Sequence, residues 1–403
     1  MLYDKKFRSD ILFTIIIGGI ISFFNYLFNV LLAQQLPDKD FGIYSAGLGV
    51  ITLIAFTTIT VQSHITKIVA KNRTVGLGEY RKKNLLVFLL IGVGGAAIFL
   101  SLSPIISSRV GVPEKFIPYI ALAFVVFTVA PVIKGFLYGL QYIKFASLIT
   151  LFETIIKFAL GLMALRYFTN ATLPILAHSI PVVISTILVI LWLKSKDKKK
   201  SVAVDLELSE LWWIFATYLL INAPFTFDLL LVNPEIRPSY SALAMLGKVV
   251  YIASTLISSV MVANVAKEVS RAARRRVLTV FLVASVLIGG FLTAAYYLFD
   301  EMIVEFVFQG KYLEITPFVA IFGMGMTIYS VVFMTVNYLI VNDRKYQIFS
   351  LLMVFILQLT LFQLYNETLQ DAVRNQIIVY IVLGISFIPK LIFQETRNAK
   401  AKT

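Results

Sequence analysis

A chain of 403 residues that is 59% hydrophobic and only 14% charged, with a mean hydropathy of +0.86, is too apolar for a water-soluble domain and reads as a polytopic membrane protein. It has no cysteine and only two histidines, His64 and His178, which excludes disulfides and thiolate chemistry and leaves too few ligands for a metal site. The net charge of +14 is divided among short connecting segments instead of one basic face, so it argues for a topology signal and against nucleic acid.

Apolar runs of about 20 residues, the length that crosses a bilayer, predict twelve transmembrane helices. In chain order they lie near 11–33, 43–66, 84–103, 116–140, 145–168, 173–194, 210–232, 239–264, 277–299, 316–341, 345–364 and 369–393. The residues before the first run show no signal-peptide cleavage pattern, so that run is expected to remain as a span. Only Gln141 to Lys144 separate the fourth and fifth runs, which predicts a hairpin turn. The longest connection, Ser195 to Ser209, is polar and sits at the midpoint. The expected organisation is an N-terminal six-helix bundle over 1–194, a cytoplasmic linker over 195–209 and a C-terminal six-helix bundle over 210–403.

Most of the 36 Lys and Arg residues fall in 1–10, 67–83, 194–200, 267–276 and the segment from Lys390 onward. The alternate connections carry few, and Asp38, Asp40, Glu301, Glu305 and Glu314 accompany them. By the positive-inside rule both termini are therefore cytoplasmic in a multi-pass cell-membrane protein. No connection is long enough for a soluble catalytic domain, and Gly310-Lys311 lacks the earlier glycine of a phosphate-binding loop.

Shifting the sequence by 196 residues places Tyr44-Ser45-Ala46 on Tyr240-Ser241-Ala242, Ser63 on Ser259, and Val69-Ala70-Lys71 on Val265-Ala266-Lys267. The spans shift in parallel. Two halves with an even number of spans each share one orientation, the plan of a transporter built from two pseudo-symmetric bundles.

Three stretches resemble the polysaccharide flippases of the multidrug, oligosaccharidyl-lipid and polysaccharide exporter superfamily. Leu31 to Ser45, with Pro37-Asp38-Lys39-Asp40-Phe41-Gly42 and Tyr44, looks like that family's first external loop. Gly135-Phe-Leu-Tyr-Gly139, followed by Phe145-Ala146 and then Glu153 and Lys157, looks like its fourth-to-fifth helix hairpin, and Phe306 to Tyr312 like the loop before its tenth helix. The second half departs from the family at Asn233 to Tyr240, where the usual glycine before the tyrosine is missing. The resemblance implies an all-α, twelve-helix, V-shaped protein with a central cavity. By alternating access, such a protein moves a polyprenyl-diphosphate-linked oligosaccharide from the cytoplasmic to the outer leaflet.

A charge at the centre of a membrane helix costs about 2.5 to 3.5 kcal/mol on insertion scales, so ionisable residues inside spans mark pathways or pairs. Lys134 is about 10 Å from the cytoplasmic end of its helix and either snorkels to the interface or meets an entering diphosphate. Gly135 and Gly139 form a small-xxx-small pair that lets a neighbouring helix approach closely. Glu153 and Lys157 are four residues apart, in the favourable order for an intrahelical ion pair. They either neutralise each other, or anionic substrate competes for Lys157 and frees Glu153 for ion coupling. Lys248 has no acid within one turn, and of the buried cations it points most strongly to an anionic ligand. Asp228, near the outer end of its helix, is a second ion-coupling candidate that more simply is solvated or paired. Asn25 and Asn29 either hydrogen-bond sugars or join helices.

Substrate-binding candidates are thus Lys134, Lys157, Lys248, Asn25 and Asn29, and ion-coupling candidates are Glu153 and Asp228. No cofactor or metal is expected. Expected partners are a lipid-linked oligosaccharide, membrane lipids and other polysaccharide-assembly proteins. Two functions compete with flipping: export of drugs or organic cations, which asks for uncompensated buried acids, and membrane-embedded polysaccharide polymerisation, which asks for catalytic groups on longer external loops.

Overall fold

The structure is a computed structural model that describes residues 5–72, 76–168, 170–196, 211–255, 258–267, 270–341 and 347–399. The described residues fold almost entirely as helices. Nine helices among them are long and apolar enough to cross a membrane.

The first half consists of α1 (Lys5–Gln35), α2 (Asp38–Lys71), α3 (Gly78–Ser101), the short α4 (Ser103–Val110), α5 (Ile117–Gly139), α6 (Ile143–Tyr167) and α7 (Thr172–Lys196). The second half begins with α8 (Leu211–Thr226), the short α9 (Asp228–Leu231), α10 (Arg237–Thr255), α11 (Ser258–Lys267) and α12 (Arg271–Leu298). It continues through the short α13 (Asp300–Phe308) to α14 (Val319–Val341), α15 (Gln347–Leu364) and α16 (Leu369–Ala399).

Each of the twelve expected spans is occupied by helix. Two in the second half are interrupted. The 210–232 span breaks between α8 and α9, just beyond Pro224. The Pro224 carbonyl, which would accept from the Asp228 amide in a continuous helix, accepts instead from the side chains of Gln358 and Gln376. The 239–264 span divides into α10 and α11 around residues that lie outside those described. The stretch likened to an external loop, Leu31 to Ser45, is mostly helix. Only Leu36 and Pro37 separate α1 from α2, and Asp38 and Asp40 occupy the first turn of α2, where carboxylates favour the helix dipole.

The hairpin between α5 and α6 is as tight as the sequence suggests. Gln141 takes a left-handed conformation, φ 66°, and the Tyr142 amide donates to the Leu137 carbonyl at 2.8 Å. The Phe306 to Tyr312 motif also has a local explanation. Gln309, Gly310 and Tyr312 all have positive φ, which turns the chain so that the Tyr312 ring packs edge-on to Phe308 at 5.7 Å. At φ 82° Gly310 is the residue that tolerates this best.

The chain divides into two compact units, 1–218 and 219–403. The division falls inside α8, beyond the 195–209 linker read from the sequence, most of which (197–209) lies outside the described residues. The last turns of α8 belong to the second unit because their carbonyls are used there. The Ile221 carbonyl accepts from the Tyr329 hydroxyl at 3.0 Å, and the Pro224 carbonyl accepts from the amides of Gln358 at 3.2 Å and Gln376 at 2.5 Å.

Both units use one packing scheme. In the first, α2, α3 and α7 all pack on α5; in the second, α10, α12 and α16 all pack on α14. A Cβ on Gly139 would stand 2.6 Å from Val69 Cβ, and one on Gly135 2.9 Å from the Gln62 carbonyl. The glycine pair is therefore what lets α5 meet α2. The repeat extends to contacts that the sequence shift does not reveal: Gly92 of α3 lies against Thr128 of α5, and Gly289 of α12 against Thr327 of α14. In both, the threonine hydroxyl turns back to its own helix, to the Phe124 carbonyl at 2.6 Å and the Gly323 carbonyl at 3.0 Å.

Candidate functional site

In the first unit, polar groups from five helices, α1, α2, α5, α6 and α7, meet in an otherwise apolar interior. The Lys134 ammonium on α5 pairs with Glu153 on α6, Nζ to Oε2 at 2.7 Å. The Ser185 hydroxyl on α7 donates to the other carboxylate oxygen at 2.5 Å. Both oxygens of Glu153 are thereby occupied. This corrects the expectation of a Glu153–Lys157 pair, since Glu153 is neutralised across helices, and it gives Lys134 an acid partner that neither of the roles read for it included. The reason is rotational. Lys134 comes to Glu153 from the neighbouring helix of the hairpin, whereas the intrahelical partner would have to bend back along the helix surface.

Lys157 turns instead towards α1. Its ammonium donates to the Asn25 side-chain carbonyl and rests over the Phe28 ring at 4.9 Å, an attraction to the ring's negative face. The Asn29 amide donates to the Asn25 backbone carbonyl at 2.7 Å, and the Tyr44 hydroxyl donates to Asn29 Oδ1 at 2.7 Å. His178 Nε2 stands 3.1 Å from the same hydroxyl and within electrostatic reach of Lys157. Asn25 and Asn29 thus join helices, one of the two roles considered for them, and Asn25 also holds the lysine. The described groups that touch Lys157, Asn25 and Phe28, are neutral. No carboxylate among the described residues is paired with it.

The second unit holds a related arrangement with different charge. Asp228 is fully buried, 0% exposed. Its Oδ1 accepts from the Leu229 amide at 2.8 Å and its Oδ2 from the Tyr240 hydroxyl at 3.0 Å. Aligning Phe28-Asn29-Val30-Leu31-Leu32 with Phe227-Asp228-Leu229-Leu230-Leu231 makes the Tyr240–Asp228 bond the counterpart of Tyr44–Asn29. One acceptor is an amide and the other a carboxylate. Lys248 lies over the Phe225 ring at 4.9 Å and within electrostatic reach of Asp228. The expectation of an isolated Lys248 is therefore corrected. Its acid is distant along the chain and comes from the preceding span, which no intrahelical search detects. Asp228 is likewise not solvated, because the break between α8 and α9 carries it inward.

Reading the sequence missed Phe28, Tyr44 and His178 as members of the first cluster. The signal for Tyr44 was present in the repeat, where Tyr44 and Tyr240 superpose, but it indicated symmetry and not a partner. Nothing local marks Phe28 or His178.

The fold is that of a multi-pass, almost wholly helical membrane protein. Among the solved structures that share the fold are a flippase and two transporters. A lipid II flippase, MurJ, in an inward closed conformation superposes with a TM-score of 0.73 at 13% identity, over 95% of this chain and 87% of that one. An inward-facing multidrug resistance MATE family transporter of the MOP superfamily superposes with a TM-score of 0.71 at 13% identity, over 95% of each chain. A MOP superfamily transporter from Pyrococcus furiosus, described as having a binding pocket of reversed polarity, gives 0.64 at 14% identity over 97% and 95%. No family model matches the sequence, and no curated protein matches it.

Proposed function

We propose that the protein is an alternating-access carrier that moves a polyprenyl-diphosphate-linked oligosaccharide from the cytoplasmic to the outer leaflet for surface polysaccharide synthesis. In this reading it sits in the cell membrane with both termini cytoplasmic, works alongside other polysaccharide-assembly proteins and performs no chemical step. The observation that carries the reading is Lys157. A buried ammonium held, among the described residues, by an amide oxygen and an aromatic face with a histidine nearby has its charge positioned but not neutralised by them, as a site for an anion requires. Asn25 and Phe28 keep the side chain in place, and a diphosphate oxygen supplies the missing negative charge. Lys134 and Lys248, each with an acid of its own, become supporting residues, and the diphosphate contact moves from the second unit, favoured by the sequence, to the first. Asp228 beside Lys248 remains the candidate for ion coupling, while Glu153, saturated by Lys134 and Ser185, is a poor one.

The likeness to MATE transporters and the buried Asp228 carboxylate support a second reading, export of organic cations. One experiment separates the two. Deleting the gene in its native host should make lipid-linked oligosaccharide accumulate on the cytoplasmic leaflet. Wild type and Lys157→Arg should restore export, and Lys157→Gln should not while remaining in the membrane. Full export by Lys157→Gln would remove the proposed anchor. Unchanged lipid-linked intermediates together with new sensitivity to lipophilic cations would favour the second reading.

A further inference from the structure

The neighbours of His178 fix which of its ring nitrogens carries the hydrogen. The Asn29 amide nitrogen is committed to the Asn25 backbone carbonyl at 2.7 Å. Oδ1 of the same amide therefore faces Tyr44 and accepts its hydroxyl proton at 2.7 Å. The Tyr44 oxygen is left with only a lone pair to offer, so His178 Nε2, 3.1 Å away, is the donor in that contact. Nδ1 is then the basic nitrogen. It makes no hydrogen bond to a described residue and is not sealed in, and the ring as a whole is half-buried. A proton added at Nδ1 leaves the Nε2 contact with Tyr44 intact.

His178 and Lys157 share Phe28. The imidazole meets the Phe28 ring edge-on at 5.7 Å between centroids, and the Lys157 ammonium lies over that ring at 4.9 Å. Helix α7, which carries His178, packs on α2, α5 and α6, while α1 contributes Asn25, Asn29 and Phe28, none of which titrates. From α2 come Tyr44 and Asp40, whose carboxylate accepts from the Ala171 amide at 3.1 Å, about 10 Å from His178 along α7. Lys134 of α5 and Glu153 of α6 are paired with each other beside Ser185, about 10 Å in the opposite direction. Lys157 is the charged group within electrostatic reach of His178. While Lys157 is charged and no anion is present, a second positive charge beside it is repelled; a bound dianion attracts both.

A diphosphate esterified at both ends carries two negative charges. Lys157 offers one positive charge, and Asn25 and Phe28, which hold it, offer none. The second unit differs, because there the tyrosine donates to a carboxylate, Asp228, which lies within electrostatic reach of Lys248. Acid and cation are matched in that unit without a ligand.

We propose that His178 is the second charge of the anion site: it takes a proton from solvent onto Nδ1 as a diphosphate occupies Lys157, so that two protein cations meet the two charges of the ligand. This deepens the reading of Lys157 as the diphosphate anchor and rests on it. Since binding takes up a proton, affinity rises as pH falls, by at most about tenfold per pH unit for a single proton.

Full-length protein in detergent would be titrated calorimetrically near pH 7 in two buffers of different ionisation enthalpy, so that the difference in apparent heat counts the protons taken up. The probe is a short-chain prenyl-diphosphate-linked N-acetylglucosamine, whose two charges are fixed across neutral pH, and the control is the monophosphate-linked compound, with one. Wild type should take up close to one proton with the diphosphate and almost none with the monophosphate, and its affinity for the diphosphate should fall towards higher pH. His178→Gln, whose amide can still donate to Tyr44, should bind the diphosphate more weakly, with neither proton uptake nor pH dependence. If that variant does not fold, the two wild-type titrations decide alone. Diphosphate binding without proton uptake in wild type would overturn the proposal and leave Lys157 as the anchor. So would equal uptake with the monophosphate, or unchanged uptake in folded His178→Gln. No binding by wild type, or binding that Lys157→Gln does not weaken, would remove the underlying reading and the proposal with it.

Discussion

Glu153 has two candidate partners, and a pair of double-mutant cycles decides between them. At 2.7 Å and an effective dielectric constant of about 20, the Lys134–Glu153 attraction is about 6 kcal/mol before desolvation is counted. Desolvation takes back much of this, yet removing one partner of a buried pair still costs about 3–5 kcal/mol. The Lys134 side chain is 22% exposed and that of Glu153 8%, which sets the expectation near 3 kcal/mol for Lys134→Met or Glu153→Leu alone. For a unit of this size that is a fall of about 6–12 °C in the detergent melting temperature. Lys134→Met/Glu153→Leu should recover most of the loss, because no charge is left unpaired and Ser185 can still donate to the Val182 carbonyl, 3.1 Å away. The expected coupling is about 2–3 kcal/mol. The parallel cycle of Lys157→Met with Glu153→Leu should be additive within about 0.5 kcal/mol. Strong coupling in the second cycle and none in the first would refute the assignment of Glu153 to Lys134.

Other consequences are open to the same thermal assay. Gly139→Ala forces a Cβ to within 2.6 Å of Val69 Cβ and should cost about 1–3 kcal/mol, whereas Gly290→Ala, with nothing within 4 Å, should be neutral or stabilise by up to about 1 kcal/mol. Tyr44→Phe removes a hydrogen bond to an amide and should cost about 1 kcal/mol; Tyr240→Phe removes one to a buried carboxylate and should cost about 1.5–3 kcal/mol. An equal cost at the two positions would deny the charge difference between the units. Lys248→Met leaves Asp228 buried beside no cation, so it should destabilise more than Lys248→Met/Asp228→Asn; the reverse order would mean that the two do not interact.

The sequence by itself determined the class of protein, the stretches that hold the nine described helices long and apolar enough to cross a membrane, the tight α5–α6 hairpin, the repeat and the contact glycines Gly135 and Gly139. These follow from properties local to the chain: the length of an apolar run, and the absence of a side chain at two positions one turn apart. Even the Tyr44 and Tyr240 correspondence was legible, though not what either hydroxyl holds. The tertiary structure alone decided who pairs with whom. Lys134 takes Glu153 from Lys157, Lys157 turns to Asn25 and Phe28, and Asp228 is carried inward beside Lys248 by the break after Pro224. Helices that are apolar on nearly every side do not encode their rotation about their own axes, and a lysine's reach spans more than one neighbour. Which partner it finds is fixed only when the glycine contacts and the Pro224 break have set the helices against one another.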